Sequence, residues 1–118
     1  MDICFEGIGQ VVATFRVKDG EDVQAGMAVT LTGNGEVGLG GEDSPLCGVT
    51  VSAERGGAVA VQIGGAVKVG YSGDSTPEVG YTMLACDGEG KVTADGETGV
   101  NCLVLAVDED EKTVVVKL

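Results

Sequence analysis

The strongest chemistry in this 118-residue chain belongs to four cysteines, at positions 4, 47, 86 and 102, and it must work without a single histidine. The lack of His removes the commonest general base and excludes Ser-His-Asp and Cys-His machinery. A cysteine nucleophile then needs a neighbouring cation to hold it as thiolate. None of the seven bases (Arg16, Lys18, Arg55, Lys68, Lys91, Lys112, Lys117) stands beside a Cys. A zinc site would require all four thiolates, or carboxylates in their place, and no pair has C-x-x-C spacing. The expectation is free, mostly buried thiols, with Cys47, Cys86 and Cys102 embedded in apolar strand patterns. Disulfides are disfavoured in a reducing compartment. Of the possible bridges Cys47–Cys102 would surprise least, because these two fall on one another in the internal repeat described below.

Two further motifs have bland explanations. Gly33-Asn34-Gly35-Glu36-Val37-Gly38 matches G-x-G-x-x-G, but that motif binds pyrophosphate only where a strand runs into a helix. The residues that follow, Leu39 to Pro45, form no helix pattern, so the segment reads as a hairpin. Asp108-Glu109-Asp110-Glu111 lacks the glycine and spacing of a calcium loop, and between Val107 and Thr113 it reads as a solvated turn joining two strands. Glu42-Asp43 and Asp19 to Asp22 read the same way. A carboxylate pair for glycoside hydrolysis could be drawn from the 19 acids, but with 3% aromatics there is little from which to build a sugar platform. No catalytic residue, cofactor or resident metal is expected.

Composition bounds the fold. There are twenty Val against seven Leu and three Ile, 21 Gly, and no Trp. β-Branched side chains suit a pleated surface, and so many glycines suit a chain that turns often. The net charge of −12 repels phosphate backbones and anionic lipid, so neither nucleic acid nor membrane is an expected partner. No apolar run approaches the 18 or so residues of a spanning helix. The opening residues Met1-Asp2-Ile3-Cys4-Phe5-Glu6 carry an acid where a signal peptide needs a basic region. The chain is thus expected inside the cell, unless lysis or assembly carries it out.

Turn signals recur at the spacing of a sandwich or barrel: Asp19-Gly20, Asn34-Gly35, Gly40-Gly41, Gly56-Gly57, Gly64-Gly65, Asp87-Gly88 and Asp95-Gly96. Between them the segments alternate with the period of a strand. Met27, Val29 and Leu31 share one face, as do Val59, Val61 and Ile63. Asn34-Gly35 predicts a type I′ hairpin turn. No stretch has a convincing helical stripe; the best short candidate is a single turn at Pro77 to Leu84. Displaced by 55 residues, Val37 falls on Val92, Cys47 on Cys102, Val49 on Val104, Val59 on Val114 and Val61 on Val116. Such self-similarity predicts duplication of one β-unit. The expected fold class is all-β: a small barrel or sandwich-like single domain of two pseudo-symmetric β-units with an N-terminal extended arm. The arm spans residues 1–17, the first repeat 18–66 and the second 67–118.

Phe5 to Phe15, Val23-x-x-Gly26-Met27-x-Val29, Cys47-Gly48-Val49, Ala58 to Val67 and a short apolar C-terminal strand together resemble the capsid cement, or head-decoration, proteins of tailed bacteriophages and prophages. The resemblance covers nearly the whole chain. It implies a β-barrel-like fold, a trimer seated on the outer capsid lattice, the major capsid protein as partner and no enzymatic activity. It places the protein on the virion surface if it is phage-encoded, and otherwise in the bacterial cytoplasm. The −12 charge departs from the family's usual composition. Asp22-Val23-x-Ala25-Gly26-Met27 more faintly resembles the hairpin of biotinyl and lipoyl carrier domains, but no Lys stands in the tight-turn setting those domains modify. The alternative class is a small ligand- or metal-binding β-barrel module.

The arm maps to the capsid-contacting region that the resemblance implies. It carries both Phe residues, with Ile3, Ile8, Val11, Val12 and Val17 around them. Left bare, this much apolar surface would be unusual on a soluble monomer, so either the chain's own sheet or another protein must cover it. Val11, Ala13, Phe15 and Val17 share one face of a strand there, with Val12, Thr14 and Arg16 on the other. The expectation is that Val11 to Val17 docks on the domain while Phe5 to Gln10 reaches a neighbour, making Phe5, Ile8, Gln10, Val12 and Phe15 the candidate partner-binding residues.

Overall fold

The computed structural model describes residues 9–94 and 99–118, so Cys4, Phe5, Ile8 and the Asp95-Gly96 turn lie outside the described residues. The fold is all-β. The first half contributes β1 (Val11–Val17), β2 (Ala28–Gly33), β3 (Glu36–Gly38), β4 (Ser44–Pro45), β5 (Gly48–Thr50) and β6 (Ala58–Gly64). The second contributes β7 (Ala66–Ser72), β8 (Gly80–Cys86), β9 (Val92–Thr93), β10 (Val100–Asp108) and β11 (Thr113–Lys117). Pro77 to Leu84, the helical candidate, instead runs into β8. Val79, Tyr81 and Met83 alternate with small or inward-facing residues, and this period of two decides for a strand.

Strands β1, β3, β2, β5 and β6 form a closed barrel in that order. In the second half β7, β9, β8, β10 and β11 follow one another the same way, and the β10–β8 and β11–β7 pairings complete a ring. The rungs correspond. Val17 stands opposite Val37 in the parallel β1–β3 ladder, as Tyr71 stands opposite Val92 in β7–β9. Phe15 and Ala13 face Val59 and Val61 across β1–β6, as Val69 and Val67 face Val114 and Val116 across β7–β11. β1 is therefore a stave of the first ring, which would stand open between β3 and β6 without it.

Valine fills both rings. The buried members of the first core are Val17, Val23, Val29, Val37, Val59 and Val61, with Phe15, Leu39 and Cys47 packed at its edge. In so narrow a barrel the fully buried positions must be short, and a buried Val contributes about 1.5–3 kcal/mol without needing the width of an aromatic. The second core holds Val67, Val69, Tyr71, Leu84, Cys86, Val92, Cys102, Val104, Val114 and Val116. It also takes Ala28, Leu46 and Val49 from the first half.

That loan joins the halves. β4 leaves the first barrel and pairs with β8, Ser44 opposite Cys86 and Pro45 opposite Ala85. Just before it Asp43, with φ at +67°, donates its N–H to the Cys86 carbonyl at 3.0 Å. Ala28 N–H donates to the Gly90 carbonyl at 2.8 Å. Gln62, 3% exposed, donates from Nε2 to the carbonyls of Gly64 and Ala66 at 3.0 and 2.9 Å, pinning the link between β6 and β7. Thr50 closes the first barrel. Its hydroxyl donates to the Gln24 carbonyl at 2.6 Å and accepts from Met27 N–H at 2.9 Å, which folds the Val23–Met27 loop over the core.

Two local expectations give way. The β2–β3 turn is not type I′, because only Gly35 has positive φ (+63°) and Asn34 does not. Gly33 pairs with Glu36 and the register shifts after Leu31, the pattern of a bulged turn. Arg16 holds it there: its backbone N–H donates to the Gly35 carbonyl and its guanidinium to the Asn34 carbonyl, each at 2.8 Å. Leu31 and Ile63, placed by alternation on one face with Val29 and with Val59 and Val61, are exposed while those valines are buried. Leu31 borders the bulge, and Ile63 stands where β6 runs out toward the link to the second barrel.

Two substitutions test this packing. A Cβ on Gly48 would collide with the Gln62 carbonyl oxygen, so Gly48→Ala should lower unfolding free energy by about 2 kcal/mol or more in denaturant titrations. Gly41→Ala, where nothing crowds the new carbon, should cost far less. Thr50→Val keeps the side-chain shape but strands the Gln24 carbonyl and the Met27 N–H, a loss of about 1–3 kcal/mol in the same measurement.

Candidate partner-binding surface

The described members of the expected contact set do not share one face. Gln10 donates from Nε2 to Gln62 Oε1 at 3.3 Å and so leans on the joint between the barrels. Val12 points outward from β1 and is 45% exposed, beside Val11 at 53%. Phe15 belongs to the opposite parity and packs, half-buried, against the valine core. Gln10 and Val12 are thus available to a neighbour, while Phe15 supports the barrel; Phe5 and Ile8 lie outside the described residues.

Cys47, Cys86 and Cys102 are free thiols. Burial raises the pKa of Cys47 and of Cys102. Burial, with added repulsion from Asp87 and Cys47, pushes Cys86 up to about 12. At neutral pH these thiols are protonated and behave as small hydrophobes. Cys47 sits at the edge of the first core and Cys102 within the second, so the bridge that the repeat suggested does not bring facing partners together.

The acidic segments serve as turns. Asp108 Oδ1 accepts from the N–H groups of Asp110 and Glu111, at 3.0 and 3.1 Å, and Glu111 pairs with Lys68 at 3.4 Å on the surface. Asp87 Oδ1 likewise accepts from Glu89 and Lys91 N–H while its Oδ2 accepts from the Ser72 hydroxyl. Among the described residues no group of three or more acids and cysteines is placed to hold a metal ion, and they form no helix long and apolar enough to cross a membrane.

Among the described residues, an exposed apolar strip lies on the second barrel. Val79, Tyr81 and Met83 are 69%, 75% and 47% exposed. Tyr81 and Met83 project from one face of β8, where Leu103 and Asn101 of β10 stand opposite them. Beyond Val79 the strip opens into a recess of about 520 Å3, floored by Pro77, Val79 and Val107 and rimmed by Asp108, Glu109 and Asp110. Sequence reasoning missed this surface by weighing the segment as a helical turn; the alternation Val79-Tyr81-Met83 was the available signal.

No family model matches the chain, and no curated protein matches it. Among solved structures it is similar to "the crystal structure of head fiber gp8.5 N base in bacteriophage phi29", with a TM-score of 0.63 and 20% identity over 92% of this chain and 93% of that one. The chain thus has the fold of a phage head-fibre base, and the match runs through both barrels.

The raised Cys86 pKa makes an alkaline prediction. An unfolded thiol ionises near its ordinary value of 9.0, whereas the folded one resists until about 12. Stability is therefore unaffected by this group below pH 9 and is lost as pH rises from 9 toward 12. In thermal melts across that window the wild type should lose stability more steeply than Cys86→Ala, and the two slopes should coincide at pH 7.

Proposed function

We propose that this chain is a non-enzymatic structural protein of a phage or prophage head, carried on the virion surface as a homo-oligomer that contacts the major capsid protein. The observation that carries the reading is the fold match to a phage head-fibre base along almost the full length of both chains. The sequence resemblance to head-decoration proteins supports it independently, since it rests on short motifs such as Val23-x-x-Gly26-Met27 and Cys47-Gly48-Val49. In this reading Val23 and Val49 serve the cores and Gly48 admits the Gln62 backbone, so these motifs preserve a barrel while the surface is free to fit a capsid.

The shared strand order of the rings supports a second part of the reading, duplication of one five-strand unit. The matching rungs Val17–Val37 with Tyr71–Val92, and Phe15–Val59 with Val69–Val114, then mark the units as beginning at β1 and β7. Outward residues near the start of β1, Gln10 and Val12, are the proposed continuation of a capsid-facing end, and a trimer is the assembly that the resemblance implies.

The test is co-sedimentation with shells assembled from the major capsid protein encoded nearest this gene. The expected result is saturable binding to intact shells, an oligomer larger than a monomer in sedimentation equilibrium, and loss of shell binding on deleting residues 1–10. A folded monomer that never sediments with the shells would refute the reading. Shell binding unchanged by the deletion would keep the head role and remove the capsid contact from the N-terminal end.

A further inference from the structure

We infer that the Met83–Tyr81–Val79 strip and the recess at its end form a second docking surface, whose occupant is a protein segment presenting apolar side chains next to an Arg or Lys. The strip is a sheet face rather than a scatter of single residues. Tyr81 and Met83 lie two apart on β8, Leu103 stands beside Tyr81 across the ladder, and the exposed Val79 just before the strand lines the recess. Nothing in either core requires a tyrosine here, for Tyr81 is three-quarters exposed while the ring packs behind it on Leu84, Cys102 and Val104. Aromatic and Met side chains are the types enriched at interface centres, and contiguous apolar faces of this kind are uncommon on monomers.

Charge identifies the occupant. The apolar floor of the recess ends against Asp108, Glu109 and Asp110. A partner's Lys or Arg can lay its methylene stem on Pro77 and Val79 and carry its cationic head to those carboxylates. A second copy of this chain fits poorly, because each copy carries a net −12 and would bring further carboxylates against the same rim. The strip lies on β8 of the second barrel, whereas Val12 lies on β1 of the first and Gln10 just before it, so it would exist whichever assembly the N-terminal end joins.

The test is selection from a random dodecapeptide library on the whole protein, repeated with Tyr81→Ser and with Asp110→Lys. Both side chains are exposed, so the variants should melt like the wild type. The expected peptides combine two or more apolar residues with an adjacent Arg or Lys. Their binding should weaken about tenfold or more on each variant and fall with added salt. Enriched peptides that are acidic, or that bind Tyr81→Ser as well as wild type, would overturn the proposal, as would a selection that enriches nothing. A Tyr81→Ser protein whose oligomeric mass drops in sedimentation would also overturn it, by showing that the occupant is a second copy.

Discussion

Each half of this molecule depends on a parallel ladder two residues long. β1 meets β3 only at Arg16 and Val17, and β7 meets β9 only at Tyr71 and Ser72. The other described pairings in the rings are antiparallel, and β2–β3, β5–β6, β8–β9 and β10–β11 join strands consecutive in the chain. The parallel rungs turn a curled sheet into a ring, and ring closure is what removes the free edges and seals the core. Arg16 shows how much is concentrated there: its backbone and guanidinium together hold the carbonyls of Asn34 and Gly35 against β1.

The valine bias and the glycine count both follow from that closure. A five-strand ring leaves room for one layer of short inward side chains, and the first core answers with six valines. Among the described residues the one buried aromatic, Tyr71, lies in the second core, which is widened by Ala28, Leu46 and Val49 from the first half. Exchange of β4 and the hydrogen bonds around Gln62 then make one body of two barrels. Because backbone pairing and valine packing carry the fold, the outward positions of β1, β8 and β10 are left open to selection for contacts. A scaffold of this kind is compatible with the head-surface role proposed above, since stability and surface complementarity can change separately.

Much of this was legible in the sequence. Period-two alternation and regular Gly turns announced an all-β chain, and the 55-residue displacement of Val37, Val59 and Val61 onto Val92, Val114 and Val116 picked out residues that do occupy matching rungs. That Val11–Val17 docks on the domain was legible, but its place as the counterpart of β7 was hidden, because Ala13, Phe15 and Val17 stand where Val67, Val69 and Tyr71 do and match them in neither residue type nor size. The bulged Asn34-Gly35 turn was hidden because Arg16, which holds it, is distant in sequence. Leu31 and Ile63 misled for a related reason: alternation shows which residues share a face, but it does not show where a strand leaves the core. The surface strip at Tyr81 was obscured because Pro77 to Leu84 read as a single helical turn, where the chain instead enters β8.

The central claim is that these two barrels form a fixed part of a phage head's outer surface. Electron cryomicroscopy of particles made from the surrounding capsid genes, with and without this gene, tests it most directly. The account predicts difference density outside the shell, repeated at lattice positions and large enough to hold both barrels. Indistinguishable maps, or extra density confined to the interior, would contradict it.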